Sequence, residues 1–305
     1  MIVKAWVAHS NAVELMGGAP VGVEVVVWEG NTTPPAELDD VALFVPPTWN
    51  KPASLQVLPR LTGLRAIQLL SAGADWILPY TPAGVTLCDA RGAHDPAVAE
   101  WIMTAILAVL REFNIFSADQ SRSVWNQRGT DTLYGKRVLI IGHGSIGTAL
   151  EQRLGAFGAS VCRVARHGRP DAHSAADLPG LLAGADVVVL LVPLTAETRG
   201  MVDVDFLARM PDRALLVNAS RGPVVDTAAL TREVSTGRLL AALDVTDPEP
   251  LPAAHPLWTL PGSLVTPHVA SFTPTWLPRI YQLVRRQLTH LVEGTSFENP
   301  VVDGY

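Results

Sequence analysis

Reversible reduction of a carbonyl that sits beside a carboxylate needs three groups: an arginine, a histidine and a carboxylate. The chain offers one of each directly after three apolar runs. Arg221 lies in NASRG (218–222) after ALLV, Glu249 in DVTDPEP (244–250) after LLAAL, and His268 closes TPH (266–268) after LV. The arginine would orient and polarise an oxo-acid, the histidine would exchange the proton, and the carboxylate would hold the imidazole. Taken singly, each has an ordinary explanation. A lone histidine is more often a surface or core residue, and a glutamate in a proline-rich loop is usually solvated. Position joins them, because ligands of open α/β sheets bind at the C-terminal ends of strands.

The second chemical signal is Gly142-His143-Gly144-Ser145-Ile146-Gly147, which follows the strand-like RVLII and opens the helical run TALEQRLGAF. Gly142 permits the tight turn, Gly144 lets the backbone approach a pyrophosphate, and Gly147 allows close helix–strand packing. The helix N-terminus then offers free N–H groups to the phosphates. A GxGxxG motif by itself is weak evidence; between a strand and a helix it is strong. Sites for NAD usually carry an acidic residue about 20 positions on, which holds the ribose 2′-hydroxyl. Here the next strand runs SVCRVARHGR (160–169), with no acid before Asp171. Arg166, His167 and Arg169 instead suit a 2′-phosphate, since guanidinium matches phosphate bidentately. NADP(H) is therefore the preferred cofactor on this reading, with NAD(H) as the lesser one.

These residues need a scaffold, and the rest of the chain supplies its signs. Apolar runs at 23–28, 41–45, 66–70 and 85–88 read as short buried strands, with a helical stretch at 55–61 between them. A long apolar-faced helix is expected from 97 to 113, opened by an Asp cap at Asp95 and Pro96 at its first position. A second α/β series follows, with strands expected at 137–141, 160–164, 186–192, 214–218, 240–245 and 264–266. An amphipathic helix at 278–293 comes last. Near-continuous runs such as VVVLLV fit parallel strands covered on both faces.

Composition narrows the class. The 305 residues are 48% hydrophobic and 17% charged. That is below the roughly 25% charge of a typical globular chain and excludes a disordered protein. The formal charge of −6 without any basic tail argues against nucleic-acid binding. Cys88 and Cys162 are the only cysteines and have no metal-ligand spacing, so neither a disulfide framework nor a metal is expected. The first residues lack the pattern of a secretion signal and no apolar stretch reaches bilayer length, so a soluble, cytoplasmic protein is expected. The length favours two domains.

In this order, GHGSIG, ADVVVLLVPLTAETRG (185–200), NASRGPVVD, ALDVTDPEPL and TPHVA closely resemble the D-isomer-specific 2-hydroxyacid dehydrogenase family, over nearly the whole chain. The resemblance implies an α/β fold: a Rossmann dinucleotide-binding domain (94–274) inserted in a flavodoxin-like substrate domain (1–93 and 275–305). It implies that Arg221 binds the substrate carboxylate and carbonyl, that His268 is the proton donor, and that Glu249 partners it. Asp244 would meet the nicotinamide carboxamide, Ser145 and Ile146 the pyrophosphate, while Val192, Pro193 and Ala219 would pack along the cofactor. Arg221 and His268 would also border the cofactor. Ala72 and Gly73, in SAGAD (71–75), would present backbone N–H groups to the substrate carboxylate. Helices near 97–113 and 275–293 would bridge the domains across a cleft that closes on substrate. A homodimer is implied as well.

Departures refine the resemblance. Glu249 stands where formate dehydrogenases of this superfamily use Gln, and Ala72 where phosphite dehydrogenases carry Lys. Val269-Ala270-Ser271-Phe272 replaces the Gly-Gly or Gly-Ala common after the catalytic histidine. Phe272, Trp276 and Trp49 would favour larger apolar side chains, or else serve a core or a dimer interface. The expected reaction is reduction of glyoxylate, hydroxypyruvate or a larger 2-oxoacid to a D-2-hydroxyacid. The other reading is a dinucleotide-sensing dimeric adaptor like the C-terminal-binding-protein corepressors, which the intact Arg–Glu–His set disfavours.

Overall fold

The computed structural model describes residues 2–35 and 38–302, and the chain divides into two compact units, Met1–His94 with Thr273–Tyr305, and Asp95–Phe272.

In the first unit β1 (Val3–Val7), β2 (Val23–Val27), β3 (Val41–Phe44), β4 (Ala66–Gln68) and β5 (Thr86–Cys88) form a parallel sheet in the order β2-β1-β3-β4-β5. Alternate residues of β1 face opposite cores, as the two-residue period requires. Val3, Ala5 and Val7 pack with Leu43, Val45 and Ala66 against Ile280, Tyr281, Val284 and Leu288 of the C-terminal helix (Trp276–Glu293). Helix α1 (Ala12–Leu15) joins this face through Ala12. Trp6 packs on the other face with Phe44, Ile67 and Val57 of α2 (Lys51–Val57).

Strand β1 was not among the expected strands, because Lys4 breaks its apolar run. Lys4 is nevertheless buried, and its ammonium pairs with Asp40 at 2.7 Å. The C-terminal helix carries one buried polar side chain into the core. Gln287 Nε2 donates to Gln68 Oε1 (2.7 Å) and to the Glu298 carbonyl (2.8 Å), and its Oε1 accepts from the Glu298 N–H (2.9 Å). Left unpaired there, such a group would cost about 1–3 kcal/mol.

The second unit opens with α3 (Asp95–Leu110). The expected helix to residue 113 stops three residues early: Glu112 adopts a left-handed conformation (φ 54°), and a separate helix, α4 (Phe113–Ser121), leaves in a new direction. Asp95 is the first residue of α3 itself. There follow β6 (Arg137–Ile141), α5 (Ser145–Ala156), β7 (Ser160–Ala165), β8 (His173–Ser174), α6 (Leu178–Leu181), β9 (Val187–Leu190), α7 (Val204–Arg209), β10 (Leu215–Asn218), α8 (Thr227–Ser235), β11 (Leu240–Leu243) and β12 (Ser263–Val265). The strands form one sheet in the order β12-β11-β10-β9-β6-β7-β8, with every pairing parallel.

Val187 and Val189 of β9 pack on the side of α3 and α5 with Ile102, Ile106, Leu150 and Leu154. Val188 and Leu190 pack on the side of α7 and α8 with Phe206, Leu207 and Leu230. Burial on both faces explains the unbroken Val/Leu runs. Strand order reverses at β6, whose neighbours β7 and β9 lead the chain to opposite edges, and such a switch point opens a crevice above the strand ends. The connection from β7 to β8, residues 166–172, contains no helix and closes instead on an antiparallel bridge between Arg169 and Ala172.

Candidate active site

The switch-point crevice begins at Gly142, which leaves β6 at φ +96°; a Cβ there would lie 2.6 Å from the Leu191 carbonyl carbon and oxygen. The turn thus passes against the segment that leads to Val192 and Pro193, both half-buried. Gly147 sits against Ile140 and the His143 ring, where an added Cβ would be 3.4 and 3.2 Å away. Gly144 differs: a Cβ would meet nothing within 4 Å, and no side chain caps the α5 N-terminus that it begins. Open backbone and uncapped N–H groups are what a pyrophosphate requires, so this turn fits a dinucleotide. Ile146 is half-buried at the same terminus. Ser145 is already engaged, its hydroxyl donating to Asp95 Oδ1 at 3.1 Å. That link was not visible in the sequence, where Asp95 reads only as a helix cap.

Beyond β7 stands the basic turn. Arg166 and His167 are exposed, and Arg166 Nη2 meets Glu197 Oε1 at 3.0 Å. Arg169 is held more firmly: Nε donates to Asp171 Oδ1 (2.8 Å), and Nη2 to both the Nδ1 and the carbonyl oxygen of His143 (3.1 Å each). The Arg169 guanidinium keeps the Asp171 carboxyl below the usual range. Sequence reasoning missed His143. It is buried, and its Nε2 meets Glu151 Oε2 at 2.8 Å while Arg163 grips the same carboxylate with Nε and Nη2. A polar residue between two glycines, eight positions before a glutamate on the following helix, was the available signal.

On the other side of the switch, β10, β11 and β12 are successive neighbours and each ends in one of the predicted groups. After β10, Asn218 organises the turn: Oδ1 accepts from the Ser220 N–H (3.0 Å) and hydroxyl (2.7 Å), and Nδ2 donates to the Arg221 carbonyl (3.0 Å). Ala219 is half-buried in that turn, and Arg221 Nη1 donates to the Ser220 carbonyl at 2.7 Å. A Cβ on Gly222 would lie 1.9 Å from the Thr246 carbonyl oxygen. Only glycine lets this loop press on the β11 loop that leads to Glu249.

His268 Nδ1 lies 2.6 Å from Glu249 Oε1. Both side chains are nearly half exposed (47% and 44%), which leaves the imidazole Nε2 for a substrate. The backbone of His268 is left-handed, at φ +55°. Asp244 enforces that geometry. Its carboxylate is buried and accepts from the Thr266 hydroxyl (2.6 Å), the Val269 N–H (2.9 Å) and the Ala270 N–H (2.9 Å), while its carbonyl accepts from the His268 N–H (2.8 Å). The residue expected beside the nicotinamide is thus also the clasp of the histidine loop.

The remaining predicted residues, Phe272 apart, belong to the first unit. In the SAGAD loop, Ser71 Oγ donates to the Gly73 carbonyl at 2.9 Å; Ala72 is half-buried and Gly73 buried. Trp49 is exposed and donates to the Glu29 carbonyl at 3.0 Å, and Trp276 stacks on His94 with ring centres 6.2 Å apart. His9 packs edge-on to Trp49 (4.8 Å), and burial lowers its pKa against the opposing pull of Glu29. Phe272, at the end of the second unit, is exposed. Among the described residues no group of three or more His, Cys, Asp or Glu could hold a metal ion, and no single helix is long and apolar enough to cross a membrane.

Comparison with known proteins points one way. Residues 103–270 match the model for the D-isomer specific 2-hydroxyacid dehydrogenase NAD binding domain. A glyoxylate reductase of Thermofilum pendens is 34% identical over 255 residues, 78% of this chain and 75% of that protein. A glyoxylate/hydroxypyruvate reductase B of Serratia proteamaculans is 34% identical over 272 residues, 82% and 80% of the two chains. Among solved structures, an NADPH-dependent glyoxylate/hydroxypyruvate reductase of Sinorhizobium meliloti in complex with NADP and sulfate superposes with a TM-score of 0.86 at 26% identity, covering 99% of both chains. A family member from Xanthobacter autotrophicus in complex with NADPH and MES does so with a TM-score of 0.85 at 27% identity, again over 99% of both.

Proposed function

Because the chain belongs to the D-isomer specific 2-hydroxyacid dehydrogenase family, we propose that it is an NADPH-preferring reductase of small 2-oxoacids, with glyoxylate, hydroxypyruvate and phenylpyruvate the first substrates to try. The coarser statement, an NAD(P)-dependent oxidoreductase of 2-oxoacids, follows from the family and its reductase members. The observation that carries the reductase reading is the 2.6 Å contact between His268 and Glu249, which follow β12 and β11, with Arg221 following the neighbouring β10.

In this reading the nicotinamide supplies the hydride, and everything else falls to side chains of this chain. Arg221 binds the substrate carboxylate and polarises its carbonyl. His268 gives its Nε2 proton to the nascent alkoxide, and Glu249 orients the ring through Nδ1 and stabilises the charged imidazolium before transfer. The Gly142–Gly147 turn receives the pyrophosphate, with Val192, Pro193, Ala219 and Asp244 along the dinucleotide. Ala72 and Gly73 offer backbone N–H groups to the substrate. Arg166, His167 and Arg169 take the 2′-phosphate. The absence of an acid before Asp171 and the bound NADPH and NADP of the two structural relatives support that assignment. A cytoplasmic homodimer, expected from the family and from the apolar helix around Trp101, completes the reading.

The test is His268→Gln. Turnover of 2-oxoacids should vanish while fluorescence titration still registers NADPH binding. Near-normal turnover would refute the role given to His268, and comparable kcat/KM for NADH and NADPH in the parent enzyme would refute the cofactor preference.

A further inference from the structure

The arginine assigned to the 2′-phosphate is not a free surface side chain, and its anchor sits inside the glycine turn. Arginine carries only donors, so the 3.1 Å contact from Arg169 Nη2 to His143 Nδ1 requires that nitrogen to be unprotonated. The ring proton therefore lies on Nε2, where it is donated to Glu151 Oε2 at 2.8 Å. Arg163 holds Glu151 from the far side with two N–H groups, and its guanidinium, ahead of the His143 hydrogen bond, keeps that carboxyl below the ordinary range and ionised. A directional chain results: Arg163 fixes Glu151, Glu151 fixes the tautomer and rotation of His143, and His143 fixes Arg169.

The donors of Arg169 can be counted. Nε is taken by Asp171, and the two hydrogens of Nη2 by the ring and carbonyl of His143. The two hydrogens of Nη1 are left for an anion. An arginine side chain on a helix-free loop loses substantial rotamer entropy when it meets a phosphate; here the loss is taken on folding, before any cofactor arrives.

We propose that His143 is a positioning residue for cofactor selection. It holds Arg169 with one edge of its guanidinium presented to the 2′-phosphate, so NADPH affinity depends on His143 more strongly than NADH affinity does. This inference rests on the 2′-phosphate assignment made above for Arg169.

The experiment measures KM and kcat for NADPH and NADH in the parent enzyme and in His143→Phe, Arg169→Ala and the double variant. His143→Phe, which keeps the ring volume against Gly147 but cannot accept a hydrogen bond, should raise KM for NADPH about tenfold, the order expected for one orienting hydrogen bond. KM for NADH, which meets the same glycine turn but carries no 2′-phosphate, should rise clearly less, so that the ratio of the two KM values changes severalfold. Added to Arg169→Ala, the Phe substitution should produce no further loss, since the group it positions is gone. His143→Leu, whose side chain cannot accept from Arg169, makes the same test if the Phe side chain does not fold beside Glu151. His143→Asn, whose Oδ1 stands on Cγ where the ring Nδ1 stood and can accept from Arg169, should recover most of the NADPH preference.

Equal losses for both cofactors would make His143 merely structural and overturn the proposal. So would an unchanged KM for NADPH in His143→Phe, or additive losses in the double variant. An Arg169→Ala variant with undiminished NADPH preference would instead overturn the 2′-phosphate reading on which the proposal stands.

Discussion

Replacing Asp244 with Asn removes one oxygen from a buried carboxylate that closes the His268 loop. The Asn carbonyl can keep the Thr266 hydroxyl and the Val269 N–H, but its amide nitrogen then faces the Ala270 N–H, donor against donor. Hydrogen bonds to a charged group are worth about 1.5–3 kcal/mol, and an orphaned buried N–H adds to their loss. A destabilisation of about 2–4 kcal/mol is expected, which for a unit of this size lowers Tm by roughly 5–12 °C. The effect on turnover should be the larger one. With the clasp loosened, the left-handed backbone at His268 is free to relax, and an imidazole misplaced by about 1 Å costs on the order of a hundredfold in rate. Thermal unfolding by circular dichroism and steady-state kcat with saturating NADPH and 2-oxoacid read the two effects separately. A variant with parental Tm and kcat would refute the clasp, and one that lost only cofactor affinity would reduce Asp244 to a contact of the carboxamide.

Glu197 pairs with Arg166 across an exposed contact and would compete with the 2′-phosphate proposed there. Such pairs are worth about 0–1 kcal/mol, so Glu197→Gln should lower KM for NADPH by up to about fivefold and leave NADH unaffected. Gly222→Ala forces a methyl group into the Thr246 carbonyl; soluble yield and Tm should fall sharply, and any folded fraction should show a raised KM for the 2-oxoacid through a displaced Arg221. The depressed Glu151 carboxyl stabilises the fold at pH values above its ordinary 4.5 and loses that contribution as pH falls through its lower folded value. Urea unfolding should therefore find Glu151→Gln less stable than the parent at pH 7, with a difference that shrinks below pH 4; a constant difference across pH would contradict the assignment.

Much of the second unit was legible because its strands are covered on both faces, and continuous Val/Leu runs between glycine-rich turns announce that environment. The Gly142–Gly147 turn and the ends of β10, β11 and β12 were legible for a related reason: glycines, Asn218 and the prolines around Glu249 are residue types that special backbone geometry selects. Strand β1 was hidden by Lys4, whose burial depends on Asp40, a partner that no local pattern reveals. The break between α3 and α4 was hidden as well, because Glu112 in a left-handed conformation leaves no glycine or proline to read. The missed connections share one cause. Asp95, His143 and Asp244 act through hydrogen bonds to residues 50, 26 and 22–26 positions away, and such pairings are created by the fold.

The helix-free connection between β7 and β8 also bears on how the enzyme can change. Its basic residues 166–169 are exposed and contribute nothing to either core, so selection or design can rewrite them without unsettling the sheet. Arg169 alone is wired back into the phosphate turn through His143. A graft that carries Arg169 into a related scaffold would therefore need His143 with it, whereas a loop that lacks Arg169 makes no demand on position 143.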